Sequence, residues 1–137
     1  MLDEPHTLFV DDVTGTAKNR MFLHRALNIN LVANPSLALQ VANANEIDVI
    51  VIDFSPVEIS SIGLSILFKE SQVTRNIPIV ILTDKPEVQR HAEELRFCGI
   101  DYLPKSSTDD VFIAKMHAVT ETYKRTKTEQ NRNSSNK

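Results

Sequence analysis

The stretch Asp48-Val-Ile-Val-Ile-Asp53 constrains the fold more than any other part of this sequence. Four consecutive β-branched apolar residues suit a strand buried on both faces, the pattern of a parallel sheet's interior. The run stops on a carboxylate, and Pro56 forbids its continuation. In open α/β sheets, ligands sit outside the carboxyl ends of the strands, which places Asp53 at the mouth of the sheet and not in its core. Taken by itself, Asp53 serves equally well as a residue that caps the following turn.

The same pattern recurs along the chain. Thr7-Leu-Phe-Val10 is a short apolar run that exits on Asp11 and Asp12. Residues 16–27 carry Ala17, Met21, His24 and Leu27 on one helical stripe, widened by Phe22, Leu23 and Ala26. Residues 28–34 form a weak strand closed by Asn34-Pro35, and Ser36 can cap a helix with Leu37, Val41 and Ala44 at helical spacing. After the Asp48 to Asp53 strand and the Pro56 loop, residues 63–70 read as a short helix that packs Leu64, Leu67 and Phe68, followed by a polar loop over 71–76.

Ile77-Pro-Ile-Val-Ile-Leu82 is another doubly buried strand, with Pro78 near its start, and it exits on Thr83-Asp84. Pro86 opens a helix at a position suited to its fixed φ, with Val88, Ala92 and Leu95 inward and Gly99 supplying a left-handed end. Ile100-Asp-Tyr-Leu103 is the last strand, ended by Pro104-Lys105. Ser107 or Thr108 caps a final helix in which Val111, Phe112, Met116, Val119 and Tyr123 recur. Residues 126–137 hold no aliphatic or aromatic side chain and read as a disordered polar tail or the start of a linker, leaving residues 1–125 as the folded domain.

Five β-α alternations with short loops imply right-handed crossovers and a parallel sheet covered on both faces. The expected fold is α/β and doubly wound, a five-stranded flavodoxin-like sheet of order 2-1-3-4-5. A chain of 137 residues fits one such domain. A net charge of −3 with unclustered basic residues argues against direct nucleic-acid binding. No apolar run approaches the roughly 18 residues of a membrane span, and the N-terminal residues lack a signal-peptide layout. Cys98 is the only cysteine, which excludes an intrachain disulfide and suits a cytoplasmic setting.

In the 2-1-3-4-5 order, Asp11, Asp12, Asp53, Thr83 and Lys105 all stand at neighbouring strand exits. Three carboxylates left alone would repel, and a hard cation relieves that; oxygen donors with carbonyls and waters suit Mg²⁺. His6, His24, His91 and His117 have no paired ligand spacing, which argues against zinc. A lysine beside a carboxylate, with a hydroxyl nearby, can hold a further anion. Such a site could accept a phosphoryl group onto a carboxylate oxygen.

Four motifs in order carry a family resemblance: Phe9-Val-Asp-Asp12, Val49-Ile-Val-Ile-Asp53, Ile79-Val-Ile-Leu-Thr83 and Gly99-Ile-Asp-Tyr-Leu-Pro-Lys105. Over residues 6–125 the chain resembles the receiver domain of two-component response regulators. The resemblance implies a phosphorylation-dependent signalling switch, not an enzyme beyond its own phosphorylation and dephosphorylation. It makes Asp53 the phosphoacceptor, taking its phosphoryl group from a histidine kinase or a histidine phosphotransfer protein. It makes Asp11, Asp12, Asp53 and the backbone carbonyl of Ser55 the Mg²⁺ ligands, with Asp11 acting through water. Lys105 would pair with phosphoryl oxygens, Thr83 would swing onto them, and the Tyr102 rotamer would follow that swing; a half-buried edge tyrosine is the other reading of Tyr102.

The resemblance also implies an output domain beyond the C-terminus or a separate effector protein, with a homodimer through the fourth helix, fifth strand and fifth helix left open. The departures are as definite as the matches. Val13-Thr-Gly-Thr follows Asp12, the loop after Asp53 has Pro56 and Gly63 out of their usual places, Ser106 replaces the proline that usually follows the lysine, and Asp84 stands where a small residue is usual. A trans Lys105–Ser106 bond is expected, since cis without proline costs ~2.5–4 kcal/mol. A bulky acid at position 84 is expected to slow anionic phosphodonors or hydrolytic water. Two rivals have definite signatures. A haloacid-dehalogenase-type phosphatase needs Asp-x-Asp, which Asp11-Asp12 lacks. A pseudo-receiver, acting as an interaction module without phosphorylation, would have lost one of the acidic pair, acceptor or lysine, and none is lost.

Overall fold

The β-branched runs lie at the centre of the molecule, as their two-sided apolarity requires. The structure is a computed structural model, and it describes residues 5–11, 28–53, 61–84 and 86–135. Five strands, β1 (His6–Asp11), β2 (Asn28–Val32), β3 (Val49–Asp53), β4 (Ile79–Leu82) and β5 (Ile100–Leu103), pair in parallel in the order β2-β1-β3-β4-β5. This is the flavodoxin-like order expected from the alternation. The helices are α1 (Pro35–Ala44), α2 (Ser61–Glu70), α3 (Pro86–Arg90), α4 (Ala92–Phe97) and α5 (Asp109–Ser135). The helix expected over 16–27 lies outside the described residues. No helix among the described residues is long and apolar enough to cross a membrane.

The two-residue period of the strands divides the core into two layers. Leu8, Val10, Ile50, Ile52, Ile79 and Ile81 point to one face and meet Ala38 and Ala42 of α1 and Leu64 and Phe68 of α2. Phe9, Val49, Val51, Val80 and Leu82 point to the other and meet Phe112 and Met116 of α5. The Phe9 and Phe112 rings lie 6.3 Å apart at 36°. Every residue of β3 and β4 is buried, which explains why neither strand shows any polar alternation.

Several helical details differ from the sequence expectation. The N-cap of α1 is Asn34, not Ser36: the Asn34 side chain accepts the Ser36 N–H at 2.8 Å, and Pro35 occupies the first turn, where its missing N–H costs nothing. The buried stripe of α1 runs through Ala38 and Ala42, whereas Leu37 is exposed. Small residues let the helix approach the sheet closely, so the core face carries less bulk than the neighbouring stripe. On α2, Leu64 and Phe68 are buried but Leu67 is exposed. The helix expected from Pro86 is broken at His91, where the N–H bonds back three residues to Val88 and tightens the turn. Val88 is buried as expected, but α4 has no buried residue, and Phe97 is 94% exposed.

Gly99 adopts φ +79°, the left-handed end foreseen after that helix. Beside it, Lys69 Nζ donates to the carbonyls of Arg75 at 3.1 Å and Ile77 at 2.7 Å, closing the loop between α2 and β4. Burial pulls the Lys69 ammonium down from 10.5 to about 8, with Cys98 pulling weakly the other way. The folded value is the lower one, so between about pH 8 and 10.5 the unfolded chain binds more protons. Stability contributed by Lys69 therefore rises with pH across that window. Urea midpoints measured from pH 8 to 10.5 should climb more steeply in the wild type than in Lys69→Met; parallel profiles would contradict this.

Thr108 is the residue that caps α5, accepting the Val111 N–H at 3.4 Å. Its inward stripe is Phe112, Met116 and Thr120, while Val111 is exposed. The helix then runs to Ser135, through residues 126–135, which the sequence reads as a disordered tail. The segment lacks a burial face, and its Thr, Asn and Ser residues are weak helix formers, so the helix there is a continuation of its packed first half. No Gly or Pro interrupts it, and a helix already nucleated needs no new nucleus to extend.

Candidate functional site at the strand exits

The strand order brings the exits of β1, β3, β4 and β5 to one edge of the sheet. Asp11 and Asp53 are the last residues of β1 and β3 and are register partners across that pair. Both carboxylates are buried, Asp53 completely. Two buried carboxylates on adjacent strands raise each other's energy, so the fold holds them side by side against their mutual repulsion. Lys105 reaches in from the loop after β5, with Nζ 3.4 Å from Asp53 Oδ1. Its side chain is 27% exposed, so the ammonium joins the buried carboxylate to the solvent-facing mouth.

Thr83 is buried one residue beyond β4, and its N–H donates to the Leu103 carbonyl at 2.9 Å. Tyr102 is half-buried and packs against the core layer on the α1 and α2 side. Among the expected site residues, Asp11, Asp53, Thr83, Tyr102 and Lys105 lie on or just after adjacent strands. Asp12 and Ser55 lie outside the described residues, as does the loop over 54–60. The Lys105–Ser106 bond is trans, as expected from the absence of proline there.

Two contacts escape sequence reasoning. Asp84, expected only as a bulky acid at the mouth, accepts the Lys105 N–H on Oδ1 at 3.1 Å. Asp101 pairs with Lys115 of α5 and accepts the N–H of Tyr102 at 2.8 Å, tying β5 to the last helix beside the tyrosine. The Asp84–Lys105 and Asp101–Lys115 pairings have no local signature, because each joins residues on different elements that only the fold brings together.

The donor set bears on the expected cation. Asp11 and Asp53 supply hard, anionic oxygens, with no imidazole or thiolate among them, which suits Mg²⁺. No group of three or more His, Cys, Asp or Glu side chains is arranged to hold a metal among the described residues, so the described share of the expected set is this carboxylate pair.

No protein-family model matches the chain, and no curated protein is similar to it in sequence. Solved structures are. The receiver domain of a Francisella response regulator is 27% identical, over 90% of this chain and 99% of that one, with a TM-score of 0.66. The receiver domain of a sensor histidine kinase from Pseudomonas aeruginosa, with a magnesium ion coordinated in its active site cleft, is 21% identical over 88% of this chain and 98% of that one, with a TM-score of 0.64. The fold is that of response regulator receiver domains.

An adenylate cyclase from Rhodopirellula baltica also superposes, at a TM-score of 0.79 and 15% identity, over 94% of this chain and 96% of that one. At that identity it is a likeness of fold alone. The fold accounts for the placement of Asp11, Asp53, Thr83 and Lys105: each stands at or just past a carboxyl end, where a doubly wound sheet offers side chains to a ligand.

Proposed function

We propose that this chain is a phosphorylation-dependent switch that accepts a phosphoryl group on Asp53. The observation that carries this reading is the buried Asp53 carboxylate with Lys105 Nζ 3.4 Å away and Asp11 in register beside it. A buried nucleophile needs its charge compensated, and here the compensating ammonium also faces the mouth, where an incoming phosphoryl group would arrive. An Asp53 carboxylate oxygen attacks the phosphorus of a phosphohistidine on a histidine kinase or phosphotransfer protein. The O–P bond forms as the N–P bond breaks, and the leaving imidazole takes up a proton.

Lys105 holds the phosphoryl oxygens by charge-assisted bonds, and Thr83, at the exit of β4, is the hydroxyl within the same strand edge. Asp11 and Asp53, together with Asp12 and the Ser55 carbonyl, would hold Mg²⁺. Bound Mg²⁺ supplies positive charge that offsets both the carboxylate repulsion and the charge on the transferring group. The chain catalyses only its own phosphorylation and dephosphorylation, and its output is a change in partner binding.

Lys105→Ala should slow phosphoryl uptake on the order of a hundredfold, the usual loss when one charge-stabilising donor is removed. Intact-mass time courses with a small phosphodonor measure it; a rate equal to the wild type would remove Lys105 from the mechanism. The reading as a whole is tested with beryllofluoride, which mimics a phosphoryl group on a carboxylate. With Mg²⁺ present, the amide resonances of Thr83 and Tyr102 should shift on its addition. No shift at either position would favour a pseudo-receiver, an interaction module that works without phosphorylation.

A further inference from the structure

We infer that Asp84 is a positioning residue for Lys105, a role that rests on the phosphoacceptor reading of Asp53 but is tested separately from it. The β4–β5 ladder runs in register from Ile79 opposite Ile100 to Leu82 opposite Leu103. Its rungs are backbone bonds, the last of them from the Thr83 N–H to the Leu103 carbonyl. The next donor along β5 is the N–H of Lys105, because Pro104 has none. That N–H is taken by a side chain: Asp84 Oδ1 accepts it at 3.1 Å. The carboxylate thus adds one rung beyond both strands.

The Lys105 backbone is fixed from a second direction as well. The Ser107 N–H donates to the Pro104 carbonyl at 3.0 Å, which makes Lys105 a central residue of a tight turn. The lysine side chain therefore leaves a backbone held on one flank by Asp84 and on the other by the turn, and ends 3.4 Å from Asp53 Oδ1. A long, rotamer-rich side chain that must meet a buried carboxylate gains from a fixed starting point, since less freedom remains to be lost on pairing. Asp84 also follows Thr83 directly, so the segment that carries the hydroxyl and the segment that carries the ammonium are joined by one charge-assisted bond.

The role separates cleanly from simple electrostatic gating. An acid that merely repels anionic donors acts through its charge, whereas a tether acts through its acceptor oxygen. Asp84→Asn keeps the oxygen and removes the charge; Asp84→Ala removes both. Residue-resolved hydrogen exchange on the full chain should show the Lys105 amide exchanging about tenfold faster in Asp84→Ala, the loss expected for a bond to a charged acceptor, with Asp84→Asn, which keeps a neutral acceptor, between it and the wild type. Phosphoryl uptake from acetyl phosphate should be faster in Asp84→Asn than in Asp84→Ala.

Lys105 exchange that is equal in all three proteins would overturn the inference, and so would uptake in Asp84→Ala as fast as in Asp84→Asn. If the wild type takes up no phosphoryl group, the phosphoacceptor reading fails. The exchange measurement then decides the tether alone.

Discussion

Asp53→Asn is expected to abolish phosphoryl uptake while leaving the protein folded. The amide oxygen of Asn carries no net charge and is a poor nucleophile, so the O–P bond has no donor at that position. Asp53 is wholly buried with Lys105 Nζ 3.4 Å from its Oδ1, and Asp11 stands in register beside it on β1. Folding should survive because two effects of the substitution oppose each other. Lys105 loses its carboxylate partner, but its side chain is part-exposed and water can take over. Asp11 loses a buried like charge beside it, which is favourable. The same substitution should also blunt the response to Mg²⁺. A cation that binds only the folded state adds about 2.7 kcal/mol at a hundred times its Kd, and removing one carboxylate of the pair should take away most of that gain. Intact mass after incubation with a phosphodonor, with melting curves taken with and without Mg²⁺, measures both effects. A phosphoryl adduct on Asp53→Asn would mean that another residue is the acceptor.

Phe112→Ala is expected to cost about 3–5 kcal/mol of stability. Phe112 is fully buried, its ring packs against Phe9 of β1, and it shares that layer with Val49, Val51, Val80 and Leu82 of the two central strands. The strands it packs on are held by their ladders, so the site collapses only partly to fill the hole. A domain of this size is stable by only about 5–15 kcal/mol, and the loss is therefore a large share of the whole. The urea midpoint should fall steeply. Val111→Ala, one residue away but exposed, should shift it by no more than about 0.5 kcal/mol. Equal midpoints for Phe112→Ala and the wild type would contradict the packing of α5 against this face of the sheet.

The strands were readable from the sequence because burial on both faces removes any need for polar alternation, and Val49 to Ile52 and Ile79 to Leu82 have none. Their order followed from short right-handed crossovers. The helices were harder. On α1 the buried residues are Ala38 and Ala42, and a reading that weights large side chains selects Leu37 instead, about a quarter-turn away. On α2 the same weighting selects Leu67, which is exposed, beside the buried Leu64 and Phe68. The break at His91 has no Gly or Pro to announce it. The lack of apolar residues over 126–135 speaks to burial and not to helix continuation.

The site was legible wherever it depends on strand ends. Asp11, Asp53, Thr83 and Lys105 each terminate or follow a strand, so topology alone assembles them. The role of Asp84 was not, because its bond to Lys105 spans 21 residues and joins a side chain to a backbone N–H that any residue but proline would offer. The charge of Asp84 was visible in the sequence; its partner was visible only in the fold.

The proposed switch turns on one event, the acceptance of a phosphoryl group by the buried carboxylate beside Lys105. Intact mass of the wild-type protein after incubation with Mg²⁺ and acetyl phosphate tests it most directly. One phosphoryl group should be added, and it should be lost when the acyl phosphate is cleaved with hydroxylamine. An unchanged mass, in a protein whose Lys105 and Asp53 are both intact, would contradict the account.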